Sequence, residues 1–196
     1  MNRNTSAAVK KRKFTTADMV YIAVFAGIMA VCSWIVIPAA VPYTMQTFGV
    51  FLSFAILGGR RGTMAVLVYI LMGLVGLPVF AGFSGGFGAL AGSSGGYIVG
   101  FLGSALVMWG LERLAGQRMA AQFLVMLLGL CVCYGVGTAW IMVVYMATTG
   151  TVGLATVLGW CVIPFIVPDV MKILLALTLG KRLRRYTAFY QESGKR

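Results

Sequence analysis

Long apolar segments, separated by turns and short basic clusters, repeat along the whole sequence. A helix needs about 20 apolar residues to cross a bilayer, and six segments approach or reach that length. Hydrophobic residues make up 60% of the chain and charged residues 10%, with a mean hydropathy of +0.94, too little polarity to cover a water-soluble domain. The sequence predicts an all-α membrane protein, a bundle of six transmembrane helices at 17–37, 46–59, 62–77, 95–112, 119–147 and 165–183.

The basic residues predict on which side of the membrane each end of the chain lies. All but one of the sixteen Lys and Arg residues fall in the N-terminal tail, in the turns after the second and fourth segments, or after the sixth; Lys172 is the exception. The opposite loops, 38–45, 78–94 and 148–164, contain neither residue type. Because basic loops stay in the cytoplasm, both termini of this multi-pass protein are predicted to be cytoplasmic.

Two tails and one apolar stretch fall outside the six segments. Residues 1–16 and 185–196 are predicted to be cytoplasmic tails around a single transmembrane domain at 17–184. The first tail is similar to the start of a secretory signal, but no small-residue cleavage site follows the apolar segment, so an uncleaved helix is expected. The stretch 151–164 is too short to cross alone and is predicted to lie at the outer interface or against the bundle.

Several function classes fit the residue content poorly. The basic residues form clusters rather than a stripe with interleaved aromatic residues, which argues against nucleic-acid binding. The four cysteines lie in apolar segments, and Cys131 and Cys133 point to opposite sides of a helix, so no metal site is predicted. Histidine is absent, which removes the commonest general base and weakens the case for an enzyme.

Two outer loops have unusual compositions. Residues 78–96 combine many glycines with apolar and aromatic side chains, including Phe80, Phe83 and Phe87. Glycine allows tight turns and close approach to a ligand, so this loop is either a cap on the bundle or a cap that also forms a wall of a pocket. It lacks the Gly-Lys-Ser/Thr of a phosphate-binding loop. The first outer loop adds polar side chains that can either bind a ligand or solvate a turn: Tyr43, Thr44, Gln46 and Thr47.

Asp169 and Lys172 stand apart from all the charged clusters. Three positions apart, they share one face of a helix. Pro168 suits the first position of that helix, which would put Asp169 at the positive end of the helix dipole in the outer part of the last segment. Ionised groups at membrane depth are costly unless they pair or face a polar cavity. The pair is therefore predicted to be a functional site, with a helix-fastening ion pair as the structural alternative.

The first segment carries a row of small side chains on one helix face, at Ala23, Ala26, Gly27 and Ala30. Such a face lets another helix approach closely. The partner helix belongs either to the same chain, which the sequence favours, or to another subunit.

Four stretches of the sequence together resemble one known family. They are VPYTMQTFGVFLSFAILGGRRG at 41–62, YILMGLVGLPVFAG at 69–82, GGYIVGF at 95–101 and PDVMKILLA at 168–176. The chain resembles BioY, the biotin-specific substrate-binding subunit of energy-coupling-factor (ECF) vitamin transporters, over nearly its whole length. The resemblance implies a location in the cell (inner or plasma) membrane of a prokaryotic-type cell.

The resemblance implies a bundle that takes biotin from outside into a pocket beneath the outer loops. Asp169 is expected to accept the ureido N–H groups, and Lys172 to serve the ureido oxygen or Asp169, roles that suit a carboxylate and an ammonium. Phe80, Phe83 and Tyr97 are expected to pack on the thioether ring and valeryl chain, and Gln46 to bind the carboxylate with backbone groups of the loop. The glycines of this expected binding set are Gly85, Gly86, Gly95 and Gly96.

The resemblance also implies how uptake is energised. The chain has no Walker motif and no cofactor is expected, so ATP acts only through partners: two cytoplasmic ATPase subunits and a transmembrane scaffold subunit. Ala26 and Ala30 match the face that docks the scaffold in related subunits. Some family members work without these partners, and that alternative stays open.

Three competing interpretations also stay open. A binding subunit for another vitamin, such as riboflavin or thiamine, would share the fold. A membrane enzyme with Asp169 as its base would lack His, a paired carboxylate and an acidic cluster. A purely structural protein would use the ion pair for folding and show no stabilisation by a ligand.

Overall fold

The computed structural model describes residues 15–37, 43–148, 150 and 153–184. Most of the tail predicted at 1–16, and all of that at 185–196, lies outside these residues. Within them, eight α-helices surround one two-stranded sheet and a short 3-10 turn. In chain order the elements are α1 (Thr16–Trp34), β1 (Val36–Ile37), β2 (Tyr43–Thr44), α2 (Gln46–Leu57), α3 (Gly59–Leu74), the 3-10 turn (Ala81–Phe83), α4 (Phe87–Ala91), α5 (Gly95–Ala115), α6 (Met119–Thr148), α7 (Leu154–Cys161) and α8 (Ile163–Leu183).

Four helices in the described ranges are long and apolar enough to cross a membrane: α1, α5, α6 and α8. The helices α2 and α3, with 12 and 16 residues, are shorter than a full crossing at 1.5 Å per residue. Nearly all of α2 is buried, as expected for a helix that is apolar all round and enclosed by its neighbours. The helical membrane protein is confirmed, and six crossings with both termini in the cytoplasm stay a prediction.

The helices pack into a single bundle. The largest helix pair is α5 with α6, joined by a short turn; α2 packs on α8, α1 on α3, and α3 on α5. Buried apolar residues from these six helices form one continuous core. The stretch predicted at 151–164 contributes α7, whose buried Val157 and Cys161 show that it lies against the bundle, one of its two predicted placements.

At the basic end of the bundle, α1 begins with a capping box. The Thr15 hydroxyl accepts a hydrogen bond from the Asp18 backbone N–H (3.2 Å), and the Asp18 carboxylate accepts one from the Thr15 N–H (2.9 Å). The Arg61 guanidinium of α3 lies 2.7 Å from the same carboxylate. Asp18 therefore both caps α1 and ties it to α3.

A single residue, Gly58, joins α2 to α3 at the same end. Its φ of +79° lies in the left-handed region that favours glycine. A Cβ on Gly58 would lie 2.6 Å from Glu112 Oε1 of α5, so this carboxylate closely approaches the turn. Three helices thus meet at the turn without room for a side chain.

The last helix begins earlier than predicted. It starts at Ile163 with Pro164 in its first turn, and Pro168 lies inside it. The prediction that Pro168 takes the first helical position, with Asp169 at the positive end of the dipole, was wrong. Proline lacks a backbone N–H, and in the first turn of a helix that N–H would have no helical acceptor, so Pro164 suits the start of α8. At Pro168 the missing N–H would have bonded to the carbonyl four residues earlier, which therefore lacks its helical donor.

The small face of α1 is only partly directed into the bundle, because Ala23 is exposed and a Cβ on Gly27 would meet nothing within 4 Å. Ala26 is 0% exposed and Ala30 is 5% exposed, and α1 packs against α2 and α3. Ala26 and Ala30 therefore pack against helices of the same chain, as the sequence favoured for this face, whereas Ala23 and Gly27 do not share that burial. Docking of a scaffold subunit on Ala26 and Ala30 stays a prediction, and the chain itself covers both methyl groups.

Candidate ligand-binding site

The candidate site lies where β2 and the start of α2 meet α8. The strands β1 and β2 pair antiparallel, with Val36 opposite Thr44 and Ile37 opposite Tyr43. This pairing turns the chain back on itself, so that α2 begins at Gln46, directly after the sheet. The polar residues around the start of α2 thereby come against the turn of α8 that carries Asp169.

Asp169 is buried, with 2% of its surface exposed, and its carboxylate accepts three hydrogen bonds. Oδ1 accepts from Lys172 Nζ at 2.7 Å and from Thr47 Oγ1 at 2.9 Å. Oδ2 accepts from the Tyr134 hydroxyl of α6 at 2.6 Å. A carboxylate offers about four acceptor positions, so one position on Oδ2 is left for a further donor.

Lys172, 5% exposed, uses all of its N–H donors within the protein. Nζ donates to the Thr44 carbonyl at 2.7 Å, to Thr47 Oγ1 at 3.1 Å and to Asp169 Oδ1 at 2.7 Å. The ammonium also lies 4.1 Å from the centroid of the Tyr43 ring, a cation–π contact. Because an ammonium has only three donors, Lys172 cannot serve a ligand oxygen without losing a partner. Lys172 was predicted to bind either the ureido oxygen or Asp169, and the geometry favours its contact with Asp169.

A cavity of about 50 Å³ opens beside this ion pair. Its polar lining consists of Thr44, Gln46, Thr47, Ser94, Tyr134, Asp169 and Lys172, and its apolar lining of Ala81, Tyr97, Ile98, Phe101, Cys133, Cys161 and Phe165. Convergent polar groups facing an apolar, aromatic wall are typical of a small-molecule pocket. Such pockets usually enclose about 300–1,000 Å³, so a vitamin-sized ligand requires these walls to move apart.

Gln46, at the start of α2, is connected by hydrogen bonds to the glycine-rich segment 78–96. Its Nε2 donates to the Tyr69 hydroxyl, which donates to the Val79 carbonyl at 2.9 Å. Its Oε1 accepts from Thr44 Oγ1 at 3.0 Å. The second amide N–H of Gln46 takes part in no hydrogen bond among the described residues, and it is available at the cavity.

Tyr97 belongs to the apolar wall because α5 and α6 approach each other closely beside it. A Cβ on Gly137 of α6 would lie 2.4 Å from the Tyr97 ring, so the ring packs directly on the α6 backbone. The Tyr97 hydroxyl donates to the Cys161 carbonyl of α7 at 3.4 Å. The ring is therefore held between α6 and α7.

The structure brings Gln46, Tyr97, Asp169 and Lys172 together around the cavity, but not the other predicted binding residues. Phe80 is buried against Tyr69, with ring centroids 5.5 Å apart. Phe83 is 62% exposed and stacks on Trp34 at 5.0 Å. The glycines Gly85, Gly86, Gly95 and Gly96 are not among the lining residues. Direct ligand contact by Phe80, Phe83 and these glycines stays a prediction, and Ala81 and Ser94 are the residues of this segment that line the cavity.

Tyr134 is the site residue that the sequence did not reveal, because α6 is apolar around most of its circumference. One signal was available: Tyr134 and Thr138 are four residues apart, which puts two polar side chains on one face of the helix. Within the described residues no three His, Cys, Asp or Glu side chains converge as metal ligands would. Cys131 is exposed and Cys133 buried, which confirms that they point in opposite directions.

Sequence comparison identifies relatives over almost the whole length of the chain. The profile of the BioY family matches residues 5–189. This chain belongs to the BioY family. It is 35% identical over 169 residues to the biotin transporter BioY of Thermotoga maritima, and the aligned region covers 86% of this chain and 96% of that protein. It is 34% identical over 170 residues to the biotin transporter BioY2 of Lactococcus lactis subsp. cremoris, and the aligned region covers 86% of this chain and 90% of that protein.

A solved structure has the same fold as this BioY-family chain. It is the crystal structure of the S-component for biotin from an ECF-type ABC transporter, which superposes with a TM-score of 0.77 at 26% identity. The match covers 88% of this chain and 95% of the other. The S-component fold of the BioY-family chain therefore extends over most of its length.

Proposed function

We propose that this chain binds biotin in the cavity beside Asp169 and takes it across the membrane as the substrate-binding subunit of an ECF-type transporter. Relatives named as biotin transporters support the ligand and the process. The likeness to the S-component for biotin supports the role as a subunit. The observation that carries the site is a buried carboxylate with one unused acceptor position, facing a cavity with an aromatic wall.

In this proposal the ureido ring of biotin lies against Asp169. A ureido N–H donates to the remaining acceptor position on Oδ2, while the hydrogen bonds from Lys172 and Thr47 hold the carboxylate in its orientation. The thioether ring and valeryl chain pack on the aromatic wall that includes Tyr97 and Phe165.

The carboxylate of biotin is assigned to the side of the cavity away from Asp169. Among the lining residues, Lys172 is the only cation and its donors are already used. The free amide N–H of Gln46 and the Ser94 hydroxyl are the donors suited to this carboxylate. Neutral donors hold a carboxylate less strongly than an arginine would, so this end of biotin contributes less to affinity than the ureido ring.

Biotin binding requires the cavity to enlarge from about 50 Å³. Ala81 and Ser94 line it from the two ends of the glycine-rich outer segment. Outward displacement of this segment enlarges the cavity without breaking the Asp169–Lys172 pair, which lies on α8. The hydrogen bond from Tyr69 to Val79 links that displacement to Gln46.

The chain in this role catalyses no reaction and depends on others for energy. A transmembrane scaffold subunit and ATPase subunits, two of which are expected, supply ATP-driven release of the ligand. The chain resides in the cell membrane with six crossings and cytoplasmic termini, so the ligand reaches the Asp169 cavity from the outer side. Uptake of labelled biotin by cells that express the chain with and without these partners tests the dependence; equal uptake in both would contradict it.

Isothermal titration of the purified chain with biotin, riboflavin and thiamine tests the ligand. Biotin alone is expected to bind, and Asp169→Asn is expected to weaken binding about tenfold or more, the loss of a hydrogen bond to a charged group. Thr178→Ala is the matched control, because Thr178 is exposed on the same helix and its hydroxyl bonds only to the Leu174 and Leu175 carbonyls. Binding of riboflavin or thiamine without biotin would contradict the proposal.

A further inference from the structure

A second cavity lies at the basic end of the bundle, about 18 Å along α8 from Asp169 at 1.5 Å per residue. It measures about 220 Å³ and is lined by Ala55, Gln117, Met119, Gln122, Leu177, Lys181 and Arg184. A neighbouring cavity of about 110 Å³ shares Gln117, Gln122 and Arg184 with it. The polar part formed by Gln117, Gln122, Lys181 and Arg184 is called the basic recess.

An apolar groove continues from the basic recess along the outside of the bundle. The groove measures about 360 Å³ and lies between α6 and α8, lined by Met119, Ala120, Phe123, Leu124, Leu174 and Leu177. Met119 and Leu177 line both the groove and the second cavity, which contains the recess. Leu124 and Leu174 are 58% and 50% exposed, so the groove opens on the apolar surface that faces the bilayer.

Lys181 gives the basic recess a positive charge that no carboxylate of the described residues pairs with. Glu112 borders the smaller cavity, but its carboxylate approaches the N-terminus of α3 at Gly58 and Gly59, where the helix dipole is positive. The Arg184 guanidinium lies 3.4 Å from Gln117 Oε1, and Gln122 donates to the Gly116 carbonyl at 2.9 Å. These contacts orient the polar side chains around the recess.

We propose that the basic recess and the apolar groove together bind one anionic phospholipid of the cytoplasmic leaflet. The phosphate lies in the recess and one acyl chain lies in the groove. A small soluble anion would leave the groove unused, and a neutral lipid would leave the recess charge unmatched, so a molecule with both parts fits best. The clustering of basic residues at this end corresponds to the leaflet that carries anionic lipids.

The proposal does not depend on biotin as the ligand of the other cavity. A lipid held in this position contacts both α6 and α8, the helices that carry Tyr134 and Asp169. Its expected effect is therefore on the stability of the helix pair, which can be measured without any vitamin present.

The test is a titration of the purified full chain, in neutral detergent, with phosphatidylglycerol or with phosphatidylcholine of identical acyl chains. Thermal unfolding and native mass spectrometry are the two measurements. Phosphatidylglycerol is expected to raise the unfolding temperature by several degrees and to be retained as a single molecule per chain, whereas phosphatidylcholine does neither. Glycerol 1-phosphate, which has the headgroup charge without acyl chains, is expected to give no shift.

Two variants separate the recess from the groove. Lys181→Gln with Gln122→Leu removes donors from the recess, and Ala120→Trp fills the groove without changing any charge. The recess variant is expected to lower the apparent affinity for phosphatidylglycerol by about fivefold or more, the effect of one interfacial charge. Ala120→Trp is expected to lower it to a similar extent, because the acyl chain is excluded from the groove. Arg113→Gln is the matched control, because this exposed arginine at the same end lines neither cavity.

The unfolding curve of each variant without lipid establishes whether the variant folds. If the double variant does not fold, Lys181→Gln alone replaces it, because Lys181 is exposed. An unchanged response in both the recess and groove variants would overturn the proposal. An equal loss in Arg113→Gln would also overturn it, since general surface charge would then account for binding. Equal stabilisation by phosphatidylcholine, or a shift with glycerol 1-phosphate, would exclude a site for an anionic lipid.

Discussion

Asp18–Arg61 and Asp169–Lys172 are acid–base pairs at opposite ends of the bundle, and their geometry is nearly the same. Both carboxylates are buried, 3% and 2% exposed, and both pairs are 2.7 Å long. Their surroundings differ. Asp18 completes a helix cap, whereas Asp169 borders a cavity and keeps one acceptor position unused. Burial and distance therefore do not identify a ligand site; an adjacent cavity and spare hydrogen-bonding capacity do.

The largest effect that separates the two pairs is expected for Lys172→Met. This change leaves the Asp169 carboxylate buried without its counter-ion, which costs about 3–5 kcal/mol of unfolding free energy. Thermal and denaturant unfolding in detergent measure the loss. The double variant Asp169→Asn/Lys172→Met is expected to recover much of the stability without recovering biotin binding; a double variant that binds biotin normally would contradict the distinction.

Tyr134→Phe is expected to have the next largest effect. It removes a hydrogen bond to a charged carboxylate, worth about 1.5–3 kcal/mol, and leaves the cavity shape nearly unchanged. Isothermal titration is expected to show weaker biotin binding, because Asp169 loses one of the groups that orient it. Tyr145→Phe, on the same helix but outside the cavity lining, is the control; a larger loss there than at Tyr134 would refute the assignment.

Asp18→Ala is expected to reduce stability without changing ligand affinity. It removes the capping-box acceptor and the partner of Arg61 together, a loss of about 1–2 kcal/mol for a helix cap of this kind. Thermal unfolding measures the destabilisation, and biotin titration of the folded protein measures affinity. If the affinity fell as far as in Asp169→Asn, the two ends of the bundle would be coupled and the comparison would fail.

Arg61→Lys is expected to have the smallest effect, below about 1 kcal/mol, because it keeps the charge of a partly exposed pair. Denaturant unfolding of this variant and of Asp18→Ala, measured in parallel, separates the stability contributed by the helix cap from that contributed by the ion pair. A greater loss in Arg61→Lys than in Asp18→Ala would show that the guanidinium, rather than the cap, holds α1 to α3.

Much of the fold followed from the distribution of charge along the sequence. The predicted limits of α5 and α6 agree with the structure within three residues, because uncharged segments between basic turns have few other positions in a bilayer. Asp169 and Lys172 were identifiable for the same reason, since ionisable side chains inside an apolar segment require a partner. Their burial beside a cavity fits that argument.

The remaining site residues depend on local geometry that composition does not encode. The backbone of Gly82 and Phe83 has positive φ, +67° and +57°, in the turn that places the Phe83 ring against Trp34 rather than in the cavity. Pro168 lies inside α8, although proline usually disfavours a helix interior, because Pro164 already starts the helix. The position of Phe83 depends on backbone dihedral angles and on a ring that is distant in sequence. A hydropathy pattern contains neither kind of information.

The saturated ammonium of Lys172 has a consequence for discrimination among vitamins. Asp169 and Lys172 cancel each other, so the polar flank of the cavity is electroneutral before any guest arrives. A guest with a permanent cationic ring, such as the thiazolium of thiamine, would introduce an uncompensated charge into a region of low dielectric constant. An uncharged urea-like ring introduces none, so in the proposed site the neutral ion pair would favour biotin over thiamine.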